Sequence, residues 1–424
     1  MRRIPYELIA RYAGNVLRAR FRRESERKLL PPMTATFYIT MRCNFRCSYC
    51  DDGSGSMYPE LQEEHLDTEK SIQVLEVLRR SSPGLNITGG EPTLRHDIEE
   101  LLEHATRLRF CPVTLNTNGF FIDRHLPILK HIDYLVVSLD SLDNTLADGL
   151  LNLNRQGQTA RVRRNIELAV DYRRKHELKF DFVINSVIFP ETIDDAWDVF
   201  EYCLANDFYW SPMPHIIGKY PSPGLVDNPR WRQLIDEVIR AKQSGARICG
   251  NTEALTTIRD FKRFECYPTT HPVVYPDGGI HFPCSPLNLL AGNLLELGGC
   301  DEAMRAGVQK HGPVPTCDSR CHIGCHTEIS TAISHPKHGL VELLNYILGS
   351  PTRSVVLRRP PERRSLKLPS FKEFRALPSA PPDTIRHWRR KGLIDNDWSS
   401  ALRIKDGGKL IQITPTRNRS LQSV

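Results

Sequence analysis

The sequence predicts an α/β fold: a parallel sheet of about six strands curled into an open, partial (β/α)6 barrel of TIM type, followed by a smaller cysteine-rich domain. Three observations predict it. Short apolar, β-branched runs recur at 35–41 (ATFYITM), 85–88 (LNIT), 113–116 (VTLN), 134–139 (YLVVSL), 182–188 (FVINSVI) and 208–212 (FYWSP), the pattern of buried strands. Between them lie amphipathic stretches such as TEKSIQVLEVLRR and RVRRNIELAVDYRRKH, with apolar residues three and four apart, so that each strand is followed by a helix. The count of six is short of the eight that close a barrel.

Four regions follow in order. Residues 1–33 read as a basic amphipathic helix, with Ile4, Leu8, Ile9, Tyr12, Val16, Leu17 and Phe21 along one stripe and Arg11, Arg18, Arg20, Arg22 and Arg23 beside it. Such a helix can lie in an anionic membrane interface or pack against the outside of the barrel. Residues 34–240 are the barrel, and its reactive groups are expected at the C-terminal ends of the strands. Residues 241–350 form a loop-rich domain in which cysteines return amid Gly, Pro and His. Residues 351–424 form a Pro-rich basic arm with a short helix expected near PDTIRHWRRKG.

Charge and composition narrow the function classes. Of 424 residues, 40% are hydrophobic and 25% charged, as in ordinary globular proteins. Residues 351–424 carry 17 Lys and Arg against 6 Asp and Glu, and residues 1–33 carry 9 against 3. With a total of +7, the middle is mildly acidic. That is not the uniform basic face of a nucleic-acid binder. No run of eighteen apolar residues and no secretory signal pattern is evident, so the expected location is cytoplasmic. In a reducing compartment, clustered thiols favour metal over disulfide.

The most informative stretch is MRCNFRCSYCDDG at 41–53, directly after the first strand. Cys43, Cys47 and Cys50 stand at the mouth of the expected barrel, where a catalytic cofactor belongs. They can be buried core residues, ligands of a zinc ion, or three thiolates of a four-iron cluster that leave one iron open to a small molecule. The spacing Cys43-x3-Cys47-x2-Cys50, with Tyr49 before the last cysteine, resembles the signature of the radical S-adenosylmethionine (SAM) superfamily. That resemblance implies a [4Fe-4S] cluster whose open iron chelates SAM, reductive cleavage to a 5′-deoxyadenosyl radical, and an electron donor such as flavodoxin or ferredoxin.

Further motifs extend the resemblance over roughly residues 35–215. ITGGEPTLR follows the second strand and resembles the GGEP motif of the family. Its Gly89 and Gly90 can let the backbone approach a ligand, and Glu91 can accept from an ammonium. LNTNG carries Asn116, and VVSLDS brings Ser138 and Asp140 where the family makes polar contacts to SAM. Arg155 of LNRQG lies where related enzymes bring a cation to the SAM carboxylate, and Asn185 would approach the ribose.

A second thiol group follows. Cys266 and Cys284 flank an expected hairpin, and CDSRCHIGC supplies Cys317, Cys321 and Cys325. These resemble the auxiliary-cluster extension called SPASM or Twitch, here with nothing after Cys325, and so imply one auxiliary [4Fe-4S] cluster held by four of five thiols. A structural zinc is the competing occupant. Cys111, Cys203, Cys249 and Cys300 are isolated and read as buried hydrophobes. The reading is an enzyme that abstracts hydrogen from a small-molecule or lipid-like substrate. Peptide modification is the alternative, and a non-catalytic metal-binding module the remote one. No nucleic-acid partner is expected, and weak contact with an anionic membrane is.

Overall fold

A computed structural model describes residues 5–22, 29–47, 49–50, 65–151, 156–217, 220–314, 321–348 and 355–359, together with two strands at 403–406 and 409–412. Arg155, Cys317 and the helix expected near 382–392 lie outside the described residues.

The chain opens with α1 (Tyr6–Phe21) and then builds the expected strands: β1 (Thr34–Tyr38), β2 (Gly84–Thr88), β3 (Val113–Thr117), β4 (Tyr134–Ser138), β5 (Asp181–Ile188) and β6 (Tyr209–Pro214). All five neighbouring pairs from β1 to β6 are parallel and in sequence order. Helices α2 (Thr68–Ser81), α3 (Ile98–Arg107), α4 (Asn144–Leu150), α5 (Gln158–Lys175) and α6 (Ile193–Ala205) fill the connections. Local chemistry sets their ends. The Asp67 carboxylate caps α2 at the Lys70 N–H. Acidic Glu99 and Glu100 open α3, and basic Arg173, Arg174 and Lys175 close α5, each opposing the helix dipole. Pro212 and Pro214 sit on β6, an edge strand, where a missing N–H breaks no ladder.

Beyond β6 come a two-stranded ribbon, β7 (Ile216–Ile217) with β8 (Tyr220–Pro221), and then α7 (Pro229–Gln243) and α8 (Thr252–Asp260). Next are β9 (Val273–Val274), β10 (Gly279–His281) and β11 (Leu290–Asn293), followed by α9 (Leu294–Leu297), α10 (Cys300–His311), α11 (Gly324–Ser334) and α12 (Pro336–Leu348). The expected hairpin forms, with β9 and β10 antiparallel, and β9 adds itself parallel to β1. Among the described residues the result is one nine-stranded sheet, ordered β11-β10-β9-β1-β2-β3-β4-β5-β6. The sheet therefore runs on past residue 240. The change there is one of composition, because short strands and cysteine loops replace βα units.

Strand alternation gives the sheet two unlike faces. Ala35, Phe37, Leu85, Ile87, Leu115, Leu135, Val137, Phe182, Ile184 and Trp210 point outward into the core beneath the helices and are almost fully buried. Their neighbours along each strand, including Thr36, Asn86, Thr114, Asn116, Ser138, Asn185 and Ser211, line the concave side. In a closed barrel that interior is filled by branched apolar side chains. Here it is lined with hydroxyls and amides and left open.

α1 docks on the body. Tyr12 is buried, and its hydroxyl donates to the carbonyls of Ala332 and Pro336, both at 3.0 Å. Gly339 has no room for a Cβ because Tyr12 lies against it. Glu7 pairs with Arg79 of α2 at 2.8 Å. Its Tyr12 face thus packs within the protein, against α11 and α12 rather than the outside of the barrel. Tyr6, Leu17 and Phe21 remain exposed on its other side.

Candidate active site

The concave face encloses a cavity of about 840 Å³. Its walls are the inward residues of β1 to β6, and α11 and α12 cover it, with Leu8 and Tyr12 of α1 also in its lining. Tyr49 and Cys50 of the cysteine loop line it as well. A polar, strand-walled cavity with thiols on its wall is an enzyme site by architecture.

The cysteine loop is held by the turn that follows β2. The Gly90 N–H donates to the Thr40 carbonyl at 2.8 Å, and the Glu91 N–H donates to the Arg42 carbonyl at 2.7 Å. A Cβ on Gly89 would collide with the carbonyl of Thr40, and one on Gly90 with that of Arg42. Gly89 also holds φ at 155°, which glycine adopts without strain. The glycines therefore let the two backbones approach each other.

Glu91 is the hub beneath this turn. It is fully buried, and its carboxylate accepts from the Thr93 N–H at 3.0 Å, the Thr93 and Thr117 hydroxyls, and the Asn118 N–H at 2.7 Å. Burial pushes its pKa up against these donors. These bonds tie the ends of β2 and β3 together, a bracing role. Asn118 then reaches the loop itself, donating to the Asn44 side-chain carbonyl at 2.9 Å and to Cys43 Sγ at 3.9 Å. Sequence reasoning chose Asn116 from LNTNG, yet the Asn116 amide donates to Asn86 on the neighbouring strand. Both asparagines were visible in the motif. Asn118 differs in lying just past the end of β3, where the chain turns toward the cysteine loop.

A second brace pins the other end of the loop. Tyr49 donates to Asp140, whose other oxygen accepts from the Val187 N–H at 2.8 Å. The Tyr49 ring meets Phe189 edge-on, with centroids 5.2 Å apart. Burial raises Asp140 to about 6, opposed by the Tyr49 hydroxyl and the Val187 N–H. Asp140 thus positions Tyr49. Ser138 is exposed to the cavity, and Asn185 lines it while its side-chain carbonyl accepts from Ser211 at 3.0 Å.

The thiols suit a metal. Burial pushes Cys43 up to about 11 and raises Cys47 further, so neither would ionise alone. A bound cation reverses that, since a coordinating thiol is deprotonated outright. Cys43 Sγ already accepts from the Phe45 N–H at 3.4 Å, the kind of bond that tunes a cluster thiolate. Among the described residues, no three Cys, His, Asp or Glu side chains converge tightly enough for a single ion. A four-iron cluster spreads its thiolates farther apart than one ion does. Of the C-terminal set, Cys266 is buried, Cys284 and Cys321 are half-buried, and Cys325 lines the cavity. Cys249, read as a buried hydrophobe, also lines it; Cys203 and Cys300 are buried as expected.

Sequence reasoning missed the polar side chains under α11. His271 and His326 are buried, with ring centroids 5.7 Å apart, and both line the cavity. Glu328, also on α11 and in the cavity lining, is raised to about 7 by burial first and the nearby Glu342 second. Lys242 grips Glu342 at 3.0 Å. Asn251 donates to the Glu328 carbonyl at 3.1 Å and to the Thr331 hydroxyl at 2.9 Å, fixing α11 against α8.

An open parallel sheet with a three-cysteine loop beside its inner cavity is the arrangement that the sequence resemblance implied. The family model described as the Radical SAM superfamily matches residues 37–203. Over those residues the chain is similar to that family, and its α/β fold agrees with that similarity. Its curated relatives include GTP 3′,8-cyclase of Corynebacterium glutamicum, 31% identical over 184 residues that cover 40% of this chain and 45% of that protein. A probable GTP 3′,8-cyclase of Methanothermobacter thermautotrophicus is 31% identical over 176 residues, covering 41% and 54%. The chain thus spans about half the length of these relatives. Among solved structures, Streptococcus suis SuiB bound to S-adenosylmethionine is 22% identical, with 60% of each chain covered and a TM-score of 0.45.

Proposed function

We propose that this chain cleaves SAM at a [4Fe-4S] cluster held by Cys43, Cys47 and Cys50 and abstracts hydrogen from a small molecule bound in the concave cavity. The observation that carries it is the placement of Tyr49 and Cys50 on the wall of that cavity. When bound, the cluster and SAM supply one-electron chemistry and a carbon radical. The protein's own residues do the rest. Glu91, Asn118 and Asp140 hold the loop in register with the sheet. Ser138 and Asn185, inward on adjacent strands and paired in register, bind SAM, with Arg155 as the cation for its carboxylate. The polar strand residues orient the substrate, while α11 and α12 keep water out.

The cavity supports a small molecule over a peptide. A volume of about 840 Å³ lies within the usual range for small-molecule sites, and α1, α11 and α12 contribute to its walls. The C-terminal thiols Cys266, Cys284, Cys317, Cys321 and Cys325 hold one auxiliary cluster in this reading, and a flavodoxin- or ferredoxin-like protein supplies the electron. The site is cytoplasmic, with the exposed Tyr6, Leu17 and Phe21 of α1 touching anionic membrane weakly.

Metal analysis tests the proposal. Anaerobically reconstituted protein should carry on the order of 8 irons per chain, and the triple Ala variant at Cys43, Cys47 and Cys50 about half of that. Zinc in the remainder would assign the C-terminal thiols to a structural ion, and an unchanged iron content would remove the loop cysteines from the cluster.

A further inference from the structure

The cavity runs the length of the strands. Thr34, Thr36 and Tyr38 of β1 all line it, as do Tyr134, Val136 and Ser138 of β4, and four residue steps along a strand span about 13 Å. Its two ends differ in chemistry. Toward the C-terminal strand ends stand Tyr49 and Cys50 of the cysteine loop, with Ser138, Asn185 and Ser211. Toward the N-terminal ends the lining is Met33, Leu8 and Tyr12 of α1, Ile329 and Ala332 of α11, and Leu343 of α12. All of these but Leu8 belong to one apolar cluster. Glu342 lies on the same helix, and Lys242 offsets its charge at 3.0 Å.

The helices at this apolar end are apolar on their outer sides too. On α1, Tyr6, Ala10, Ala13, Leu17 and Phe21 recur three or four residues apart and are all exposed, which makes one stripe opposite buried Tyr12 and Asn15. On α12, Leu340, Val341 and Leu344 are exposed. Six of the ten large hydrophobic residues that stand exposed among the described residues thus lie on these two helices, which meet where Tyr12 lies against Gly339. Single exposed apolar residues are ordinary, but their concentration marks a binding surface. Arg11, Arg18 and Arg20 of α1, and Arg22 at its end, add positive charge, while the one acidic residue of α1, Glu7, is paired with Arg79. A second copy of this face would bring like charges together, whereas an anionic bilayer matches both the stripe and the arginines.

We propose that the apolar end of the cavity faces an anionic bilayer, and that the substrate is an amphiphile drawn from it between α1 and α12. Its polar head lies along the hydroxyls and amides of the strands toward the cysteine loop, and its apolar tail stays against Tyr12, Met33 and Leu343. The proposal rests on the radical SAM reading in one respect, that this cavity holds the substrate.

Two measurements on full-length, anaerobically reconstituted protein test it. In cosedimentation, vesicles of mixed phosphatidylglycerol and phosphatidylcholine should bind the protein at least about tenfold better than vesicles of phosphatidylcholine alone. Leu340→Ser with Leu344→Ser, both on the surface of α12, should weaken that binding severalfold. In equilibrium dialysis below the micelle-forming concentration, octyl glucoside should be retained at least about tenfold more tightly than glucose. Leu343→Asn should remove that preference, and the α12 surface variant should keep it; iron content and a urea melt show that each variant is folded. Equal binding to the two kinds of vesicle overturns the proposal, as does binding untouched by the α12 substitutions. So does equal retention of octyl glucoside and glucose, or a preference that Leu343→Asn leaves intact. Formation of 5′-deoxyadenosine is read separately. Vesicle binding and octyl glucoside retention without SAM cleavage would break the radical reading and leave the amphiphile site standing.

Discussion

The two faces of one sheet do different work. On the outer face, residues such as Phe37, Leu135 and Trp210 are sealed beneath helices, and their burial holds the domain together. On the concave face, one residue along the chain, Thr36, Thr114, Val136 and Asn185 look into a cavity. Stability and function are thereby separated by the two-residue period of a strand. A change of one residue in register would exchange them.

The comparison can be broken by substitution, beginning with the largest effect. Phe37→Ala should cost about 3–5 kcal/mol of unfolding free energy, whereas Thr114→Ala on the concave face should cost under about 1 kcal/mol. Urea melts of both variants check this, and equal losses would mean that the concave face is also load-sharing core. Next come the brace and the binder. Glu91→Ala strands buried donors on Thr93 and Asn118, each worth about 1–3 kcal/mol, and should lower iron incorporation. Ser138→Ala should leave iron unchanged and weaken SAM binding severalfold, measured by iron assay and SAM titration.

A smaller effect depends on pH. Asp140 is raised from an ordinary carboxylate value to about 6 in the folded protein. The protonated form is therefore favoured by folding, so its stabilisation is complete below about pH 4 and is lost as pH rises through about 6. Asp140→Asn keeps an acceptor for the Val187 N–H without the buried charge. Relative to this variant, wild type should lose stability between about pH 4 and 6, with little further change above about pH 7, in parallel urea melts; a constant difference would show that Asp140 does not titrate there. The smallest effect concerns α1. Full-length protein should cosediment weakly with anionic vesicles at low salt and be released at high salt, and Leu17→Ser with Phe21→Ser should abolish that. Binding that ignores salt would rule out the arginines as its source.

Much of this was legible in the chain. The six strand runs fell within a few residues of the observed strands, because apolar β-branched segments between amphipathic helices leave few alternatives. The cysteine loop was placed correctly at the end of β1 for the same reason. The braces were less legible. Gly89, Gly90 and Glu91 stand out as a motif, but only the fold shows that they meet Thr40, Arg42 and Asn118. The joining of β9 to β1 was invisible, since two-residue strands carry no period. His271 and His326 were missed because their meeting joins segments more than fifty residues apart in sequence, brought together by the packing of α11 over the sheet.

The central claim is that Cys43, Cys47 and Cys50 present SAM-cleaving chemistry to the concave face. Its most direct test is the yield of 5′-deoxyadenosine from anaerobically reconstituted protein given SAM and a strong reductant. Wild type should produce it, and Cys47→Ala should produce none above the protein-free background. Equal yields from the two proteins would contradict the account.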